Sequence, residues 1–137
     1  MNSQYCILLV EDDSNDSLLL QRAFRRANLP HLLRVVADGE QAMAYLTGQD
    51  PYTDRDENPF PVLVLLDLKL PRKSGLEVLA WLRQQSELKD LPVVVLTSSR
   101  QTSDIDAAYA LGANSYMAKP EGNFDDLAQM VKTLERR

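Results

Sequence analysis

The chain has 137 residues, 45% of them hydrophobic, which is enough for one domain with a buried core and too few for two. Its 15 basic and 20 acidic residues give a net charge of −5, which argues against sequence-independent binding to nucleic acid or to an anionic membrane. No apolar run has transmembrane length, and residues 1–4 are too short and polar to begin a signal peptide, so we expect a cytoplasmic protein. The single cysteine, Cys6, cannot form an internal disulfide and is expected in the core.

The first predicted strand is the apolar run at residues 6–10. Three acids follow it: Glu11, Asp12 and Asp13. Ser14 or Asn15 is predicted to cap the next helix, and Pro30 prevents its continuation. The apolar face of this helix comprises Leu20, Ala23, Phe24 and Ala27.

A second strand is predicted at residues 33–36, after which Asp38 and Gly39 turn the chain into a second helix. This helix carries three apolar residues: Ala42, Met43 and Leu46. Residues 48–61 contain three prolines and five charged residues without any period, so they predict a loop in solvent.

The third predicted strand, residues 62–66, is an unbroken apolar run and is therefore expected to be buried on both faces. Asp67 follows it directly. A carboxylate in this position lies at the carboxyl edge of a parallel sheet, where α/β folds place their chemistry. The next helix begins near Gly75 and carries Val78, Leu79 and Leu82, with Trp81 packing at its flank.

The fourth predicted strand, residues 93–96, ends in three hydroxyl residues: Thr97, Ser98 and Ser99. The helix after it, over about residues 103–111, is expected to stop at Gly112, because glycine commonly follows the last turn of a helix.

The fifth predicted strand, residues 115–118, ends at Lys119, and Asn123 is predicted to cap the last helix, residues 124–136. The apolar stripe of that helix comprises Phe124, Leu127, Ala128, Val131 and Leu134. Alternation of strands with helices predicts a doubly wound α/β fold, with five parallel strands and helices on both faces of the sheet.

Loops that follow non-consecutive strands of such a sheet converge on one crevice. The predicted strand ends bring five side chains to it: Glu11, Asp12, Asp67, Thr97 and Lys119. Three carboxylates in one crevice repel each other unless a cation holds them, and oxygen ligands without cysteine or histidine favour Mg²⁺. A metal, a hydroxyl and a lysine around an aspartate suit phosphoryl transfer to Asp67.

Four motifs resemble the receiver domain of bacterial two-component response regulators. They are LLVEDD at residues 8–13, LLDLKLPRKSGLEVL at 65–79, VVLTSS at 94–99 and ANSYMAKP at 113–120. The resemblance implies a flavodoxin-like sheet with strand order 2-1-3-4-5. It also implies that residues 1–137 form a single receiver domain without an effector domain.

The resemblance also implies roles at the site. Asp67 would accept a phosphoryl group from a sensor histidine kinase, and Mg²⁺ would be held by Asp12 directly, by Glu11 mostly through water, and by Asp67. The backbone carbonyl of Lys69 would be the third direct protein ligand, beside Asp12 and Asp67. The protein would assist its own phosphorylation and dephosphorylation without being an enzyme for other substrates.

Two further positions match residues that change conformation with the phosphate in this family, the hydroxyl of Thr97 and the aromatic ring of Tyr116. Lys119 matches the lysine that pairs with the phosphate, and the resemblance implies that its peptide bond to Pro120 is cis. Glu11, Lys69 and Ser98 depart from the usual residues, which is expected to alter the lifetime of the phosphoaspartate.

The long loop at residues 48–61 and the DLKLP and LTSS sequences are similar to those of stand-alone receivers that partner bacterial phytochromes. This loop and the start of the first helix, near Asn15, are expected to contribute to kinase recognition.

The output is expected from the face formed by the fourth helix, fifth strand and fifth helix. Ile105, Tyr109 and Met130 are predicted there as surplus apolar residues, which favour a homodimer or the docking of another protein.

The sequence leaves three alternative functions to weigh against a phosphorylated receiver. A haloacid-dehalogenase-type phosphatase also forms a phosphoaspartate, but it needs a second aspartate where this chain has Lys69. A nucleotide-binding domain would need a glycine-rich phosphate loop, which the sequence lacks. A receiver that only binds partners without phosphorylation is the third. His31 is expected at the surface, without a role.

Overall fold

A computed structural model describes residues 5–29, 32–98, 101–119 and 124–135. Within these residues, strands and helices alternate in the following order: β1 (Cys6–Val10), α1 (Ser14–Arg26), β2 (Leu32–Val36), α2 (Gly39–Thr47), β3 (Leu63–Asp67), α3 (Gly75–Gln84), β4 (Val93–Thr97), α4 (Thr102–Ala110), β5 (Ser115–Ala118) and α5 (Asp125–Glu135). The strands form one parallel sheet in the order β2-β1-β3-β4-β5, which confirms the predicted fold.

Each face of the sheet has its own hydrophobic core, because successive strand residues point to opposite faces. Leu8 and Val10 of β1 lie in the first core, with buried residues of α2, α3 and α4. Ile7 and Leu9 lie in the second core, with buried residues of α1 and α5. The strands β1, β3 and β4 are fully buried, as their apolar runs predict. The predicted third strand is shifted by one residue, because β3 starts after Val62, which is exposed.

The register of the strands aligns the residues that follow them at the carboxyl edge. Val10 pairs with Leu66, so Glu11 lies at the level of Asp67. On the other side of β3, Asp67 itself pairs with Leu96 of β4. The convergence inferred from the sequence is therefore built into the pairing of the sheet.

The predicted cap of α1 is wrong. Asp13 caps this helix, because its Oδ1 accepts hydrogen bonds from the backbone N–H groups of Asn15 at 2.9 Å and Asp16 at 3.3 Å. Of the three consecutive acids after β1, the last is thus used for helix capping. The helix α4 ends at Ala110, and Gly112 follows with a positive φ of 102°, close to the predicted stop.

Residues 48–61 are largely exposed, as predicted, but side-chain contacts hold them against the domain. Arg55 donates to the carbonyl oxygens of Leu46 at 3.2 Å and Asn58 at 3.1 Å. The Tyr45 hydroxyl donates to the carbonyl of Pro59 at 2.8 Å. Because this loop joins the end of α2 to the start of β3, it enters the sheet at the edge opposite Asp67.

Several sequence predictions fall outside the described part of the chain. They concern the stop at Pro30, the surface position of His31, the hydroxyl of Ser99, the cis bond to Pro120, the cap at Asn123 and the side chain of Leu134. None of the helices in the described ranges is long and apolar enough to cross a membrane.

Candidate phosphoacceptor and metal site

Asp67 is the last residue of β3, and its side chain is held by donors on both oxygens. The residue is 4% exposed. The backbone N–H of Lys69 donates to Oδ1 at 3.1 Å, and Nζ of Lys119 donates to Oδ2 at 2.8 Å. The strand thus delivers a buried carboxylate whose orientation is fixed by one backbone group and one ammonium group.

Three carboxylates form a cluster around this position. Glu11, Asp12 and Asp67 each offer one oxygen, and these oxygens lie within 4.8 Å of one another. Glu11 and Asp67 are buried, whereas Asp12 is exposed. Oxygens on opposite sides of one Mg²⁺ or Ca²⁺ ion are separated by about 4–5 Å, twice the metal–oxygen distance. The cluster therefore fits a hard divalent cation in both spacing and ligand type.

Lys119 follows β5 and makes three ion pairs with its ammonium group. Its Nζ lies 2.7 Å from Oε1 of Glu11, 2.8 Å from Oδ2 of Asp67 and 3.0 Å from Oδ2 of Asp16. An ammonium group has three N–H donors, so it can donate one hydrogen bond to each of the three carboxylates. Burial lowers the pKa of Lys119, but the bonds to the three carboxylates outweigh this effect and raise the pKa above its usual value. The lysine is therefore a fixed cation.

The environment of Glu11 favours the neutral form of its side chain, whereas the environment of Lys119 favours the charged form. Burial raises its pKa, the hydrogen bond from Lys119 lowers it, and the nearby Asp67 carboxylate raises it again; the pKa ends above its usual value. A backbone hydrogen bond from Asp13 to Oε2 at 3.1 Å partly offsets the cost of ionisation. A divalent cation at the cluster would favour the ionised form of Glu11, because it supplies positive charge beside the carboxylate.

Asp16 also belongs to this site, and it is not among the site residues predicted from the sequence. It lies in the first turn of α1, and its carboxylate reaches Lys119. Glu11 and Asp12 precede this helix, which Asp13 caps, so no helical spacing links Asp16 to them in the sequence. The place of Asp16 in the site follows only from where α1 starts.

The remaining predicted residues lie at the same edge or near it. Thr97 is the last residue of β4, is fully buried, and pairs with Ala118 in the register of β4 and β5. Tyr116 lies two residues earlier in β5, is partly buried, and packs against the first core. Burial and the nearby Asp104 carboxylate raise the pKa of Tyr116. The side chain of Lys69 is exposed, and its predicted role as a carbonyl ligand remains a prediction.

Of the apolar residues predicted on the output face, the structure leaves one clearly exposed, and the output role of the face stays a prediction. Tyr109 is 49% exposed, and Ile105 is partly buried. Met130, which was expected to lie off the core stripe of its helix, is partly buried and packs against the second core. The prediction for Met130 is wrong because a long flexible side chain at the edge of a helix stripe can still reach the core.

Comparisons with known proteins agree with this geometry. The sequence pattern of the response regulator receiver domain matches residues 7–132. Response regulator Rcp1 of Synechocystis sp. is 44% identical over 134 residues, covering 98% of this chain and 88% of the relative.

Two solved structures are also similar. The Mn²⁺-bound form of Rcp1 matches with a TM-score of 0.81 and 44% identity, over 96% of this chain and 91% of that one. The phosphorylated cyanobacterial phytochrome response regulator RcpA matches with a TM-score of 0.84 and 41% identity, over 98% and 93% of the two chains. With the receiver pattern spanning nearly all of its length, this chain belongs to the response regulator receiver domain family and is similar to response regulators of phytochromes.

Proposed function

We propose that this response regulator is the phosphoacceptor of a two-component system, in which Asp67 receives a phosphoryl group from the phosphohistidine of a sensor histidine kinase. The observation that carries this proposal is the position of Asp67. Its buried carboxylate lies beside both a fixed ammonium group and two further carboxylates that could hold a metal ion. Buried charged groups are costly unless they are paired. A strand end that only terminated the sheet would therefore be expected to leave its charged residues in solvent.

Each residue of the site has its own role in phosphoryl transfer. One oxygen of Asp67 forms a bond to phosphorus as the bond between phosphorus and the histidine nitrogen breaks. Lys119 has its ammonium at the same carboxylate, where it can hold a phosphoryl oxygen after transfer. Thr97 lies at the end of the neighbouring strand, from where its hydroxyl can move toward the new phosphoryl group.

Glu11, Asp12, Asp67 and the backbone carbonyl of Lys69 would hold the metal ion, which we assign as Mg²⁺. When bound, Mg²⁺ supplies positive charge that neutralises the phosphoryl oxygens. The similarity of this chain to Rcp1, which has a Mn²⁺-bound form, supports the binding of a divalent ion. The three-carboxylate cluster supports it in this chain.

The kinase partner in this proposal is a bacterial phytochrome. The support is the similarity to RcpA, a phytochrome response regulator, and to the bacteriophytochrome response regulator RtBRR, at 42% identity. The output is a change at the α4-β5-α5 face, relayed from Thr97 through Tyr116, that promotes a homodimer or the docking of another protein.

Phosphotransfer kinetics test the proposal. A labelled phytochrome histidine kinase, mixed with the protein and Mg²⁺, should lose its label to this chain faster than an unrelated labelled histidine kinase does. The variant Asp67→Asn serves as the control and should take label from neither. Equal rates from both kinases would contradict the phytochrome assignment. Labelling of the Asp67→Asn variant would contradict the phosphoacceptor assignment.

A further inference from the structure

Arg72 adopts a backbone conformation that is rare for its residue type. Its φ is 69°, in the left-handed region that favours glycine. The N–H of Lys73 donates to the carbonyl of Pro71 at 2.8 Å, so Arg72 is the centre of a three-residue turn. Such γ-turns with a positive φ are uncommon and strained. Asn28 also has a positive φ, but it follows α1, where asparagine is often found in this conformation.

The side chain of Arg72 connects this turn to the start of α2. Its Nε lies 3.5 Å from Oδ2 of Asp38, and its Nη1 lies 3.4 Å from Oε1 of Glu40. Asp38 is buried, and its other oxygen, Oδ1, accepts a hydrogen bond from the N–H of Gln41 at 2.8 Å as the cap of α2. The buried carboxylate of Asp38 thus caps the helix with one oxygen and forms an ion pair with the turn through the other.

A second contact joins the same two segments through the backbone. Gly39, the first residue of α2, packs so closely against Lys73 that a Cβ atom at this glycine would overlap the Cβ and the carbonyl oxygen of Lys73. Only glycine fits this approach. The turn at Arg72 is therefore fixed to α2 by ion pairs and by backbone packing next to them.

The turn lies in the acceptor loop, residues 68–74, which follows Asp67 directly. The loop is closed at its base by a hydrogen bond from the N–H of Gly75 to the carbonyl of Leu68 at 2.9 Å. Inside the loop, the N–H of Lys69 donates to Oδ1 of Asp67. The conformation of the acceptor loop consequently determines where Lys69 lies and how the Asp67 carboxylate is oriented.

We infer that Arg72 is a positioning residue of the phosphoacceptor site: its ion pairs with Asp38 and Glu40 hold the acceptor loop in a strained conformation that keeps Lys69 and Asp67 in place for the metal ion and the phosphoryl group. This inference rests on the proposed function. Strained residues persist where the surrounding structure holds them, and they cluster at functional sites. Here the strained backbone lies five residues from the acceptor, at a residue whose side chain is exposed and is held by ion pairs.

Binding of Mn²⁺, measured by electron paramagnetic resonance, tests the inference without any phosphoryl donor. Loss of the ion pairs in Arg72→Ala should weaken Mn²⁺ binding by about two- to fivefold, since partly exposed ion pairs contribute modestly. Simple electrostatics predicts the opposite, because removal of a nearby positive charge would strengthen binding of a cation. Arg72→Gly should bind with intermediate affinity, because glycine keeps the left-handed conformation without strain. Mn²⁺ affinity in Arg72→Ala equal to or above that of the wild type would overturn the inference.

Two further variants complete the design. Glu40→Gln removes one ion pair of Arg72 and should weaken Mn²⁺ binding in the wild type, but not further in the Arg72→Ala background. Lys73→Ala is the matched control: it is the adjacent exposed cation, its ion pair is with Glu77 of α3 at 4.0 Å, and its removal should leave Mn²⁺ affinity unchanged. An equal loss in Lys73→Ala and Arg72→Ala would assign the effect to loop charge and overturn the inference.

Labelling with acetyl phosphate separates this inference from the proposed function. Labelling of the wild type at Asp67, together with an unaltered rate in Arg72→Ala, would reject the role of Arg72 and leave the phosphoacceptor intact. Absence of labelling in the wild type would reject the proposed function, while the Mn²⁺ affinities would still report on the loop. A purely structural ion pair would lower the Tm of Arg72→Ala without changing its affinity for Mn²⁺, and that result would also overturn the inference.

Discussion

The ammonium of Lys119 lies 2.8 Å from a carboxylate oxygen of Asp67, although the strands that carry these residues are not neighbours in the sheet. The strand β4 lies between β3 and β5 and ends at Thr97. The ion pair therefore crosses the end of β4, where the hydroxyl residue is located. This arrangement explains why a lysine, an aspartate and a threonine from three strands form one site.

Asp16 and Lys119 should be energetically coupled. Asp16→Asn removes one of three ion pairs in a partly buried site, so it should reduce the free energy of unfolding by about 1 kcal/mol. In the Lys119→Ala background the same substitution should be neutral or stabilising, because Asp16 then only repels the other carboxylates. Urea unfolding of the four proteins gives the coupling energy. The more exposed pair of Arg26 and Asp125 provides a control, and Asp125→Asn should cost less. Additive effects of Asp16→Asn and Lys119→Ala would contradict this picture.

Mg²⁺ should stabilise the folded protein, because it binds carboxylates that repel each other. At a hundredfold excess over its dissociation constant, the gain should be about 2.7 kcal/mol. Asp12→Ala should remove most of this gain, whereas Asp106→Ala, which changes an exposed acid on α4, should keep it. Unfolding curves with and without Mg²⁺ provide the measurement. A wild-type curve that does not respond to millimolar Mg²⁺ would mean that the cluster does not bind the ion.

Glu11 should make stability depend on pH in the metal-free protein. Its pKa is raised on folding, so between the ordinary glutamate pKa and the raised value the folded state binds more protons than the unfolded state. The free energy of unfolding from this group therefore falls as pH rises through that range. Saturating Mg²⁺ should reverse the trend, since it binds the ionised carboxylate. Thermal unfolding of the wild type and Glu11→Gln over a pH series tests this, and the variant should lack the Glu11 contribution. The same slope in both proteins would argue against a raised pKa.

Tyr109 should contribute to the output surface. It is 49% exposed on α4, so phosphorylated protein should self-associate or bind a partner through it. Tyr109→Asp should abolish this association in sedimentation experiments, while Leu18→Asp, which changes a similarly exposed residue on α1, should not. A phosphorylated wild type that stays monomeric, with partner binding unaffected by Tyr109→Asp, would place the output elsewhere.

The main features of the site could be predicted because they depend on strand ends. Asp67 and Lys119 each follow an apolar run directly, and a parallel sheet brings such residues to one edge. The sequence motifs around these residues are specific enough to indicate the receiver family without the structure.

Other features depend on geometry that the sequence leaves open. Whether Asp13 caps α1 or joins the site is decided by where the helix starts, and that choice also turns Asp16 toward Lys119. Met130 contacts the second core through a flexible side chain that helix periodicity does not describe. The left-handed conformation of Arg72 runs against the preference of arginine, so no local signal predicts it.

The measurement that tests the central claim most directly is site-specific detection of phosphoaspartate. The wild type, treated with acetyl phosphate and Mg²⁺, should gain one phosphoryl group by intact mass, and peptide mapping after borohydride reduction should place it at Asp67. Asp67→Asn should gain none and keep a wild-type circular dichroism spectrum, since asparagine is nearly isosteric with aspartate. A phosphoryl group on another residue of the wild type, or undiminished phosphorylation of a folded Asp67→Asn variant, would contradict the account.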